Sequence, residues 1–186
     1  MTGFEFLFSL YGLLLGLAIA NATGAIMEFW RAPRALRGGV MTPLLASFVL
    51  LAAAEQWLSM WGARDLMTIS PAMVLVSLGM ALPYIFISLA LSPPATTQVS
   101  FSDYYFGHRR TLMAVLCVPA LVSLGANLVI QGLPTLSQIP DVLLWFCIQF
   151  LPRLLIPAIL AVSRSARVHV AGLVLLNAYA IFSMWV

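Results

Sequence analysis

The chain has 186 residues, 62% of them hydrophobic and only 8% charged, with a mean hydropathy of +1.03 and a formal net charge of +3. A soluble domain carries about 25% charged residues, so this composition excludes an ordinary soluble fold and places most of the chain in lipid. All nine cationic residues are Arg, eight of them set in short loops beside apolar runs, which is a topology pattern and not a nucleic-acid surface.

The apolar runs predict an all-α integral membrane protein: one domain, residues 1–186, of six transmembrane helices with short loops. Each run has about the 20 residues a span needs. The spans fall near 4–27, 41–62, 69–92, 111–131, 142–163 and 168–186.

In span one, Gly12, Gly16, Ala20 and Gly24 recur at every fourth position. Residues four apart share a helix face, so the four draw a groove nearly free of side chain. The groove has two readings: it takes a neighbouring helix of the same chain, or it is the face of a homo-oligomer. Ala20-Asn21-Ala22 has the form of a signal-peptide cleavage site. The residues before it carry Glu5 and no Lys or Arg, the wrong charge for a leader, so the segment reads as a retained span.

The loops assign orientation. Loop one holds Arg31, Arg34 and Arg37, loop three Arg109 and Arg110, and loop five Arg164 and Arg167. Loop two has Arg64 beside Asp65, and loop four, 131–141, has none. By the positive-inside rule the odd loops are cytoplasmic and both termini face outward, in a multi-pass protein of the cell inner membrane. Trp30, Trp57, Trp61, Trp145 and Trp185 fall near span ends, as an aromatic belt does.

Loop three is the longest polar stretch. Pro93-Pro94 ends span three, and Ser102 or Asp103 is placed to cap a short amphipathic helix leading into span four. Phe101, Tyr104, Tyr105 and Phe106 would lie in the interface. Asp103, His108, Arg109 and Arg110 would meet anionic lipid at the cytoplasmic face, or a membrane-protein partner.

Ionisable residues at membrane depth are costly and usually paired toward the bundle interior. Arg153 lies near the midpoint of span five; Glu55 lies about 5 Å outward of the midpoint of span two, at about 1.5 Å per residue. The Arg stem can bridge that offset. Gln149 shares the face of Arg153, and Gln56 follows Glu55. The expected cluster is Glu55, Gln149 and Arg153 with Gln56, joined by Asn177 of span six if that residue faces the pair. Pro152 and Pro157 bracket Arg153 and break the helix, freeing carbonyls near Ile148 and Arg153. Asn21 and Asn127 suit hydrogen bonds between helices. His169, at the mouth of span six beside Arg167, reads as interfacial.

No Ser-His pair or HExxH spacing is present, and Cys117 and Cys147 lie within apolar runs. Neither catalytic residues nor a metal or other cofactor are expected. Two functions remain: an oligomeric channel or transporter with a polar midplane site between spans two and five, or a non-transporting scaffold or accessory subunit of a larger membrane complex.

Overall fold

In lipid, backbone polar groups must be satisfied within the segment, so long apolar runs become helices. The computed structural model describes residues 3–64, 70–94, 98–131 and 139–185, and no strand occurs among them. The helices are α1 (Gly3–Arg31), α2 (Arg34–Arg37), α3 (Met41–Gly62), α4 (Pro71–Leu89), α5 (Phe101–Gln131), α6 (Ile139–Gln149), α7 (Leu151–Val162) and α8 (Ala166–Ser183). Five are long and apolar enough to cross a membrane, and α6 with α7 makes a sixth if the bent pair is one span. Asp65, residues 95–97 of loop three and 132–138 of loop four lie outside the described residues.

Local chemistry sets the helix ends. Ser70 is extended, and its Oγ accepts from the Met73 amide at 3.2 Å, with Pro71 following in the first turn. At α5 the expected cap is corrected. Ser100, not Ser102 or Asp103, caps the helix: its Oγ accepts from the Asp103 amide at 3.1 Å and donates to Asp103 Oδ2 at 2.6 Å. There is also no separate lead-in helix. Residues 101–110 run straight into span four, because nothing between them and Thr111 breaks the backbone ladder.

The break in span five falls at Phe150, where the chain bends by 49°. Pro152 sits in the first turn of α7, where its missing amide costs least. Pro157 stays inside α7 without ending it.

The helices close a ring. In the series α1, α4, α5, α7, α8 and α3, each packs on the next, and α3 returns to α1. The core face of α3 includes Leu45, Ala46, Val49, Ala52 and Ala53, all essentially inaccessible, and its alanines let neighbours come close. Gly172 does the same between α7 and α8: a Cβ there would stand 2.8 Å from Leu160 Cδ2.

At one end of the ring Phe8 of α1 lies tilted against Trp57 and Trp61 of α3, with centroids 5.1 and 5.4 Å apart. At the other end Phe29 meets Phe101 edge-on at 5.4 Å, and Arg109 Nε donates to Ser163 O at 3.1 Å. Gly38 is left-handed, with φ 64°, and a Cβ there would lie 2.7 Å from Ser102 Cβ. Loops one, three and five therefore gather at one end of the bundle.

The glycine row of α1 is not the face that packs. Leu7, Tyr11, Leu15, Ala18, Ala22, Ala25 and Phe29 are buried instead. Gly12 touches the fold, where an added Cβ would lie 3.3 Å from Trp57 Nε1, but Gly16 and Gly24 have nothing within 4 Å and, with Ala20, are exposed. Packing inside the chain is thus corrected to the adjacent stripe. Leu7, Tyr11 and Leu15 offer many more dispersion contacts than a row of glycines.

Candidate functional site

The bend at Phe150 positions Arg153 in the first turn of α7, aimed across the ring at α3. There Arg153 Nη2 donates to Glu55 Oε1 in a charge-assisted pair. The two side chains are 19% and 14% exposed, so the pair is largely cut off from the surroundings. The ring face of Tyr179, on α8, lies 5.3 Å from Arg153 Cζ and supplies a second contact for the cation.

The same tyrosine repairs the helix break. Tyr179 Oη donates to the Gln149 carbonyl at 3.0 Å, one of the carbonyls that the end of α6 leaves without a helical donor. Tyr84, on α4, is 5% exposed, and its hydroxyl has no hydrogen-bond partner among the described residues. Glu55, Arg153, Tyr84 and Tyr179 line a cavity of about 10 Å³ in the middle of the ring, walled on the α5 side by Leu116, Pro119 and Ala120. That is room for about one water.

Other expected members stand elsewhere. Gln56 faces α1, where Tyr11 Oη donates to its Oε1 at 3.2 Å. Gln149 contributes its backbone carbonyl to the centre. Asn177 Nδ2 donates to Leu44 O at 3.0 Å and Leu173 O at 2.8 Å, tying α8 to the other half of α3, so it does not face the pair. Each miss has one cause: the roll of a helix about its axis decides which residue looks inward, and apolar sequence on all sides leaves that roll unmarked. Tyr84 and Tyr11 were missed for the same reason. Asn21 Nδ2 is buried and lacks a partner among the described residues, whereas Asn127 Nδ2 donates to Ser123 O, within its own helix, at 2.8 Å.

The residues read as interfacial divide. Asp103 answers the Ser100 cap, and His108 Nδ1–H donates to Tyr104 O at 3.0 Å, with the two rings 4.4 Å apart. Tyr105 turns inward and is 2% exposed. Its Oη donates to His169 Nδ1 at 2.7 Å, while His169 Nε2 meets Ser163 O at 3.1 Å. A carbonyl only accepts, so Nε2 carries the proton and Nδ1 is the acceptor. His169 is completely buried, which corrects its interfacial reading. Arg109 donates to Phe106 O at 2.8 Å as well as to Ser163 O. Arg110 is exposed.

These features define an all-helical bundle, with five or six helices long and apolar enough to cross a membrane and a charged pair at its centre. Comparison with protein-family models, with curated proteins and with solved structures finds no match.

Proposed function

We propose that this chain is a small transport protein of the cell inner membrane and that Glu55 and Arg153 are its working site. The observation that carries the reading is the ion pair spanning the ring beside a broken helix. Ionisable groups at this depth are costly and typically mark an ion or substrate path, and interrupted helices typically build the sites of transporters. The seven Arg of the odd loops support a cytoplasmic placement for the end where those loops gather, with both termini outward. The exposed Arg31, Arg34, Arg110, Arg164 and Arg167 suit contact with anionic headgroups there.

A second reading has its own observation. A cavity with room for one water and a mutually satisfied pair are also what a structural centre of a scaffold protein contains. The double variant Glu55→Met, Arg153→Met separates the two, because replacing a buried pair by apolar groups of similar volume leaves folding intact. Proteoliposomes of the natural chain should pass an inorganic ion that the double variant does not. Equal flux in both, or none in the natural chain, gives the scaffold reading the field.

A further inference from the structure

We infer that the cargo of the central site is the proton, held on the Glu55 carboxylate and relayed through one cavity water that the Tyr84 hydroxyl orients. The inference rests on the transport reading above and narrows it to a substrate.

Size makes the first exclusion. About 10 Å³ holds one water and no organic solute. Charge makes the second. A metal cation would need several oxygen ligands, yet the cavity offers it a carboxylate already held by Arg153 and two phenols, one of them bonded to the Gln149 carbonyl, with the guanidinium beside them. An anion would meet Glu55. A proton needs neither volume nor a ligand shell, because it is held as an O–H bond.

The groups around Glu55 fit that role. Arg153 of α7 holds Oε1, and no hydrogen bond to the other carboxylate oxygen is seen among the described residues. Tyr84 of α4 is buried, unpartnered among the described residues and in the cavity wall, so its hydroxyl can hold a water against Glu55. Tyr179 of α8 is committed to the Gln149 carbonyl, and Tyr11 of α1 to Gln56. Cys117 of α5 lies 4.0 Å from the Leu154 carbonyl, leaving α5 to contribute apolar wall.

The step balances simply. A hydronium in the cavity gives its proton to the free carboxylate oxygen: an O–H bond to water breaks, an O–H bond to Glu55 forms, and neutral water remains. Release to water on the other side is the reverse. Protonation removes the negative partner of Arg153, so loading the proton weakens the bridge that ties α7 to α3 across the ring. The joint at Phe150 is the natural place for the resulting movement.

The test uses the full chain in liposomes holding a pH-sensitive dye, driven by a potassium diffusion potential. Sodium, potassium and chloride fluxes are measured in parallel. The expected result is proton flux above that of empty liposomes, at least tenfold lower with Glu55→Gln and several-fold lower with Tyr84→Phe. If Glu55→Gln does not fold, Tyr84→Phe, which deletes one oxygen atom, carries the test: full proton flux in folded Tyr84→Phe overturns the inference. Flux of sodium, potassium or chloride without protons overturns the proton and leaves transport standing. Silence for every ion overturns the transport reading itself.

Discussion

Arg153→Ala should strongly destabilise the bundle. The substitution leaves the Glu55 carboxylate, 14% exposed, without its cation, and strips the Tyr179 ring of its cation–π partner. Removing one member of a buried pair costs about 3–5 kcal/mol, because the remaining charge is desolvated and uncompensated. At about 1.4 kcal/mol per power of ten, the folded-to-unfolded ratio falls by about two to four powers of ten. The Glu55→Met, Arg153→Met double variant should sit within about 1 kcal/mol of the natural chain, or above it, since no charge is stranded. Unfolding in mixed micelles, followed by helical circular dichroism, measures both. A loss below about 1 kcal/mol in Arg153→Ala would refute the reasoning, because it would mean that water already reaches Glu55 and that the centre of the ring is not sealed.

Three further outcomes follow from the packing. Gly172→Ala drives a methyl to 2.8 Å from Leu160 Cδ2 in a buried contact and should cost about 1–3 kcal/mol in the same unfolding assay. Gly16→Leu adds a side chain where nothing lies within 4 Å, so unfolding should be unchanged; native mass in detergent, measured alongside, reports whether this face also meets another copy. Tyr105→Phe leaves His169 Nδ1 buried without its donor and should cost about 1–3 kcal/mol.

How much was legible depended on the kind of signal. The lengths of the apolar runs gave α3 to the residue and α1, α4 and α8 to within a few, because a span is a count of residues. The Glu55–Arg153 contact was legible because two charges near one depth have few other solutions. Pro152 marked the bend. The partners of these residues were hidden. Tyr84 and Tyr179 are aromatic residues in apolar helices, where nothing in the spacing distinguishes a phenol facing the centre from one facing lipid. The Tyr105–His169 bond joins residues 64 apart that each resemble interfacial anchors. The glycine row marked a smooth face of α1 without saying which way that face turns, and α1 turned its large side chains inward.

Arg37 and Arg109 carry two messages in one residue type. Both belong to the seven Arg of the odd loops on which the proposed orientation rests. Both are also mechanical rivets: Arg37 donates from Nε to Ala32 O at 2.9 Å and from Nη2 to Trp30 O, and Arg109 clamps Phe106 O and Ser163 O. A lysine at either place would keep the charge. It would lose the planar fork that holds two carbonyls at once. A chain that uses no lysine at all thus has its proposed orientation signal and part of its fastening written in the same letters, and an exchange to lysine would separate them.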